Sequence, residues 1–508
     1  MYNSYYSKLK GDVVDKKTMK EGMDIIDAHF KDEGISRRDA IKLFGTGGAA
    51  ILMGTATIPT EAEASSSSSV KAKIVIIGGG LAGMSTAARF TNSLDYPDIT
   101  VIEPGDTSTS YQPGQTLVGA GVWESSDILY NTADFIPDGV TVIKEKAMEF
   151  DPDNNTVTTQ SGTKIAYDYL IVAAGLKLDF GKIEGLGITE TITSRGDDTA
   201  VRKIIGKNGI SSVYFANGAV DTWTNMQKFV DDAKSGKKVK GIFTHPNTPI
   251  KCGGAPKKIM YLTDARLREA GARDNAELTF YPNGGKMFGI KAYHEAIKSQ
   301  FEERNFNWNY KHNLIKVDTE RKIATFDKHT KVKGAYDEDL EQYVMTTTHE
   351  NVEVPFDFLH ITPPMKAAEE IASSPLGSNG GWVPVDKETL QHDKYKNVFS
   401  LGDIANVPMG KTGGSARKQY KVVVDNVIAL MNDKEMTSKY DGYTVCPLIT
   451  SIGTVMLAEF NWESKKLGHG ENVAVLPIDP TQERWIWWLL KVYALKPMTQ
   501  YGMLSGRA

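Results

Sequence analysis

The run KAKIVIIGGGLAGMS narrows the fold more than any other stretch of the chain. Its first part is apolar, β-branched and ends in glycines, the pattern of a strand buried in a parallel sheet. Gly78, Gly80 and Gly83 then form G-x-G-x-x-G, and LAGMSTAARFTNSL continues with helical periodicity and small residues near its start. Gly78 permits a tight turn, Gly80 lets the backbone approach a pyrophosphate on the helix N-terminus, and Gly83 lets helix and strand pack closely. A second strand, DITVIEP, carries Glu103 at 103 − 83 = 20 residues past Gly83. A carboxylate there can take a ribose 2′-OH. Glycine-rich turns also occur in ordinary βα units. Strand, helix and Glu103 together make this one a dinucleotide site.

Composition sets outer limits. The chain has 508 residues, 41% hydrophobic and 24% charged, enough for two or three ordinary globular domains. A formal net charge of −4 argues against a nucleic-acid partner. Cys252 and Cys446, the two cysteines, are too few for a disulfide-stapled scaffold. One inert bridge or a redox pair are both open to them.

Residues 1–64 read as targeting rather than fold. Ser36, Arg37 and Arg38 open SRRDAIKLF, a twin-arginine pattern. A glycine-interrupted apolar stretch, too short to span a bilayer, and Ala62-Glu63-Ala64 follow in the order of a cleavable signal. That route exports proteins already folded, often with cofactor bound, and implies a periplasmic location. Residues 65–69 are a serine linker. Further strands are expected in TVIKEKAMEFD, NTVTTQ and YDYLIVAAG, around a turn near Asp151. GKKVKGIFT, a helix near Lys257 to Ala270 and AELTFYP make a second α/β unit. NVFSLGDIAN returns to the first domain, and YDGYTVCPLIT and GTVMLAEFNW read as strands.

Two motifs favour flavin over nicotinamide. YDYLIVAAG, ending at Ala173, Ala174 and Gly175, resembles the second element of two-dinucleotide flavoproteins. Leu401-Gly402-Asp403 resembles their late flavin motif, whose Asp contacts the ribityl chain. That resemblance puts Lys411 and Thr412 at a helix N-terminus near the flavin pyrimidine ring, where positive field would stabilise a reduced, anionic flavin. A helix simply capped by Thr412 is the plainer alternative. In the second unit, GIFTHPNTPIKCGGAP has no G-x-G-x-x-G, so the nicotinamide site is expected to be lost and the cofactor to be FAD.

Cys252 is flanked by glycines and prolines at the start of a helix, where the N-terminal field and Lys251, Lys257 and Lys258 would lower a thiol pKa. Cys446 precedes Pro447, and both cysteines have polar-rimmed contexts. Here THPNTPIKCGGAPKKIMYL, FLHITPPM, WVPVDKETLQHDKYKNVFSLGD, YDGYTVCPLIT and MLAEF resemble the type II sulfide:quinone oxidoreductases, from about Lys73 onward. The resemblance implies that Cys252 and Cys446 bracket the flavin, joined by a disulfide or a sulfur-bridged form. Hydrosulfide would leave a persulfide on Cys446 and a thiolate on Cys252, which passes electrons to FAD and on to quinone. Ile404-Ala405 stands where other branches hold a third cysteine. Lys258 and Lys491 match basic residues on the sulfur-acceptor side, although a solvated lysine is the bland alternative for each. The sulfur acceptor itself is left open.

ERWIWWLLKVYALK crowds Trp485, Trp487, Trp488 and their apolar neighbours into one amphipathic stretch, interrupted by Lys491, Lys496 and Pro497. It is too short to span a bilayer and suited to lie in its interface. A buried oligomer contact is the alternative, and a homo-oligomer is compatible with the chain. The expected fold is therefore α/β, with two Rossmann-like domains and a C-terminal membrane-docking region. FAD binding falls to residues 70–180 and 385–430, and a degenerate nucleotide-type domain carrying Cys252 to 181–384. Residues 431–508 form the C-terminal region with Cys446. Rival functions are a flavin subunit feeding a cytochrome, a type II NADH dehydrogenase, and a non-catalytic persulfide carrier or sensor.

Overall fold

The computed structural model describes residues 68–105, 108–337, 342–475 and 478–508. The expected export signal, residues 1–64, and the first three residues of the expected linker lie outside the described residues. In chain order the elements that build the site begin with β1 (Lys73–Ile77), α1 (Leu81–Ser93), β2 (Asp98–Ile102), β3 (Thr141–Ile143) and β4 (Tyr169–Val172). The second unit follows as β5 (Ile210–Ser211), α2 (Ala216–Lys234), β6 (Val239–His245), α3 (Ala255–Glu269), β7 (Ala276–Pro282) and β8 (Asn307–Trp308). Next come β9 (His312–Asp318), β10 (Ile323–Asp337), β11 (Gln342–Pro355) and β12 (Phe358–His360). The chain continues with β13 (Val398–Ser400), α4 (Gly413–Met431), β14 (Thr444–Ser451), β15 (Thr454–Phe460), β16 (Glu483–Arg484) and α5 (Trp485–Leu489).

The first sheet is parallel in the order β13-β4-β1-β2-β3, with β1 central. Ile74, Val75, Ile76 and Ile77 are all buried, as a strand covered on both faces requires. The second parallel sheet runs β5-β12-β6-β7-β8. Both are doubly wound α/β layers, and in such sheets ligands collect beyond the carboxyl ends of the strands. The segment TVIKEKAMEFD is not one strand. Lys144-Glu145-Lys146 turns a corner, so β3 stays in the parallel sheet and Ala147–Asp151 starts an antiparallel one with Thr156–Thr159 and Lys164–Ala166.

The C-terminal part pairs β14, β15 and β16 antiparallel. The amphipathic stretch noted in the sequence begins as α5 and continues into two π-helical stretches, Leu490–Ala494 and Met498–Met503. The tryptophans do not all face outward. Trp487 and Trp488 are each 3% exposed and join the main core, with Ile486, Val492, Met503 and Leu504 also buried. Tyr493 and Tyr501 remain exposed. Among the described residues no helix is long and apolar enough to cross a membrane.

Candidate active site

The turn after β1 has the shape its glycines demand. Gly78 sits at φ 102°, and a Cβ there would meet the Ala173 carbonyl oxygen at 2.6 Å. A Cβ on Gly83 would overlap the Gly78 carbonyl at 1.9 Å, which is the close helix–strand packing foreseen. At Gly80 a Cβ would meet nothing within 4 Å. Gly80 is also the N-cap of α1 and no side chain caps that turn, so open space and unpaired N–H groups coincide. This is a cradle for an anionic pyrophosphate. Glu103 is fixed beside it: it accepts from the Gly79 and Gly105 N–H groups, each at 2.7 Å, and pairs with Arg195. A small cavity lined by Gly79, Met84, Glu103, Thr132, Ile136 and Lys144 lies against the same turn. Gly175, at φ 67°, also has an open Cβ position at the end of β4. These residues fit FAD.

The residues expected at the flavin end lie in the β13–α4 connection. Gly402 lies at φ 74° and its N–H donates to Gln419 at 2.8 Å. Burial raises the Asp403 pKa, opposed by Lys251 and Lys411. Thr412 is the N-cap of α4 and accepts from the Ser415 N–H at 3.2 Å, as the plainer expectation for this residue has it. Lys411 does not point its ammonium away from the chain. It turns back onto the Asp403 and Ala405 carbonyls and lies 4.1 Å from the Trp382 ring centre, and burial brings its pKa to about 8.

The two cysteines, 446 − 252 = 194 residues apart in sequence, come together beside this connection. Cys252 occupies the loop from β6 to α3 at φ 50°, a left-handed conformation uncommon for a side chain with a Cβ. Its N–H donates to the Lys411 carbonyl at 3.0 Å, which ties the cysteine loop to the start of α4. Cys446 sits in β14, opposite Ala458. A Cβ on Gly254 would lie 2.6 Å from Cys446 Sγ, so only glycine lets α3 approach that sulfur. The thiols are in hydrogen-bonding contact, and this contact, together with the positive charges of Lys258 and Lys491, holds the Cys252 thiol well below its ordinary pKa. The Lys258 ammonium is 3.4 Å from Cys252 Sγ. The same contact, with burial, pushes Cys446 well above its ordinary value. One sulfur is thus prepared as a thiolate and the other as a thiol.

Several expectations are corrected here. Cys446 is a buried member of the main core, although Lys257 and Lys258 lie close to its sulfur. The lowering of Cys252 has the foreseen direction, and its causes include the partner thiol and Lys491 as well as the foreseen Lys258. Lys257 donates instead to the Gly253 carbonyl at 3.2 Å and lies over the Phe280 ring, and burial lowers it to about 8. Lys258 and Lys491 are not solvated. Lys491 is 1% exposed, donates to the Pro113 carbonyl, and is brought to about 7 by burial and then by Lys258. Its π-helical turn is what aims it inward, a device common at functional sites. Arg195, Gln419 and Gly254 had no signal in the sequence. Each acts through a partner distant in the chain or through a Cβ it lacks.

Residues 72–208 match the family model described as pyridine nucleotide-disulphide oxidoreductase. The chain is 36% identical over 434 residues to the mitochondrial sulfide:quinone oxidoreductase of Mus musculus, covering 85% of this chain and 86% of that protein. With the Dictyostelium discoideum protein of the same description it shares 37% over 437 residues, 86% of each. The solved sulfide:quinone oxidoreductase of Aquifex aeolicus has the same fold, with a TM-score of 0.64 at 22% identity, covering 86% of this chain and 92% of that one.

Proposed function

Because the chain belongs to the sulfide:quinone oxidoreductase family and is an FAD-dependent oxidoreductase, we propose that it oxidises sulfide at Cys252 and Cys446 and delivers two electrons to a membrane quinone. The observation that carries this is the contact of the two sulfurs, with the Lys258 ammonium 3.4 Å from Cys252, beside the start of α4. Written for a direct bridge, hydrosulfide attacks Cys446 Sγ. The bond to Cys252 breaks with its electron pair on Cys252, leaving Cys252–S⁻ and Cys446–S–SH. The Lys258 ammonium steadies that thiolate. A nucleophilic acceptor then takes the outer sulfur, and Cys446 returns as a thiol. Reclosing the bridge releases two electrons and the thiol proton. FAD, when bound, supplies the two-electron carrier chemistry between the cysteines and quinone. Gly78, Gly80, Gly83, Glu103, Gly175, Gly402 and Asp403 would hold it without a covalent link.

Anaerobic stopped-flow reduction tests this. Sulfide should bleach the yellow colour fast, whereas NADH should not do so at a useful rate, because the turn after β6 carries Cys252 in place of a glycine cradle. Equal rates with the two donors would reassign the protein to pyridine-nucleotide chemistry.

The reading extends to the membrane surface on the periplasmic side. It is supported by the export pattern at Ser36–Arg38 and by the exposed Tyr493 and Tyr501 beside the buried tryptophans. Cell fractionation checks it. The full chain should pellet with membranes and face the periplasm. Arg37→Lys/Arg38→Lys should stay in the cytoplasm, and Tyr493→Asp/Tyr501→Asp should become soluble. Unchanged distribution of both variants would remove the proposal.

A further inference from the structure

The longest strands, β10 and β11, outrun their third partner. β9 pairs with β10 only as far as His312 opposite Lys328, and beyond that β10 and β11 continue as a two-stranded ribbon. Two strands alone are marginal in water. The first cross-strand pair of this ribbon is His329 opposite His349. Their ring centres are 6.4 Å apart with planes inclined by 36°. Two imidazoles on one zinc-class ion, with Zn–N of about 2.0–2.1 Å, place their ring centres roughly 5–6 Å apart. Side-chain rotation alone closes that difference, since directly opposed residues already hold their Cβ atoms about 4.5–5.5 Å apart.

A second observation points the same way. Asp327 lies two residues before His329 on the same face of β10, and its carboxylate oxygens are 2.8 and 3.0 Å from His349 Nδ1. An ionised carboxylate only accepts, so Nδ1 carries the proton and donates, and the neutral ring keeps Nε2 as its ligating nitrogen. A carboxylate fixing the tautomer of a ligating histidine is the usual outer support of such sites. The His349 side chain is 61% exposed, so an ion can reach it, and an exposed Asp–His contact alone contributes little stability. Lys331, next on that face, is exposed enough to carry its ammonium into water.

We infer that His329 and His349 form a two-imidazole site for a divalent transition-metal ion of the zinc class, with Asp327 orienting His349. Among the described residues no group of three or more His, Cys, Asp or Glu is arranged to ligate one ion, and Asp327 is engaged on Nδ1 of His349. Water therefore fills the remaining coordination positions, and the ion acts as a clip across the two strands where the third one stops. The site is independent of the cysteine pair.

Calorimetric titration of the full-length, FAD-loaded protein with Zn²⁺ tests it, in a Cys252→Ser/Cys446→Ser background so that thiolates do not compete. One ion per chain should bind. His329→Ala and His349→Ala should each weaken binding at least about tenfold, and Asp327→Asn about 10- to 100-fold. The flavin spectrum should stay unchanged, and Zn²⁺ should slow proteolysis of the ribbon only when both histidines are present. Binding that survives both histidine substitutions would overturn the site. So would dependence on His349 alone, which would leave only the contact with Asp327.

Discussion

Cys446→Ser should show a long-wavelength thiolate-to-flavin band without added sulfide, and Cys252→Ser should show none. Both should lose sulfide-dependent quinone reduction by orders of magnitude, because either change removes the bridge. The asymmetry follows from the site: Cys252 has a hydrogen-bond donor in Cys446 and an ammonium at 3.4 Å, while Cys446 is buried and held as a thiol. A thiol whose pKa is lowered keeps its charge above that pKa and loses it as pH falls, so the band should fade on acidification. Serine at 446 still offers an O–H donor. Cys446→Ala does not, so its band should need a higher pH to develop, and adding Lys258→Met should move it higher again. A band in Cys252→Ser instead would exchange the two roles. Retained turnover in both serine variants would end the cysteine mechanism and leave the resemblance as one of fold alone.

Deleting residues 481–508 should yield no stable holoprotein, rather than an active enzyme freed from membranes. The deleted part buries Ile486, Trp487, Trp488, Val492, Met503 and Leu504. Each such side chain contributes about 1.5–3 kcal/mol or more, on the order of 10 kcal/mol together, against a typical net stability of about 5–15 kcal/mol. It also supplies β16, whose Glu483 pairs with Arg304 at 2.7 Å, and removes Lys491 from beside the cysteines. Soluble expression, flavin content and thermal unfolding of the truncated chain measure this. A truncated protein with full flavin content and the melting temperature of the intact chain would show that the tail is an appendage.

The first sheet and its cradle were legible because their rules are local. Gly78, Gly80, Gly83 and Glu103 lie within one βαβ unit, and the backbone and space at each glycine are what its expected task requires. What the sequence hid is what depends on distant partners. Arg195 reaches Glu103 from a loop 195 − 103 = 92 residues away. Trp487 and Trp488 have the composition of an interfacial belt, and only the packing against β15 turns them inward. By its own pattern Lys491 is an interruption in an apolar run, and only the family resemblance put it on the sulfur-acceptor side, since a 3.6-residue period cannot anticipate a π-helical turn. The β9–β11 meander also went unassigned. Its outer ribbon is exposed and rich in Lys and Thr, so it lacks the one-sided apolar alternation by which strands are recognised.

The late arrival of β13 has a consequence for biogenesis. β13 completes the parallel sheet of the flavin cradle at β4's edge, yet it is synthesised 398 − 172 = 226 residues after β4 ends. An emerging chain therefore carries a four-stranded, half-open cradle while the whole second unit, Cys252 included, is translated and folds as an insert. The late flavin motif at Gly402 and Asp403 and the capped start of α4 follow immediately behind β13. Tight retention of the flavin is thus deferred until the inserted unit has cleared the ribosome. A Cys252 thiol exists before there is a closed cofactor site to receive its electrons or a Cys446 to pair with, so for that interval the nascent chain depends on a reducing compartment.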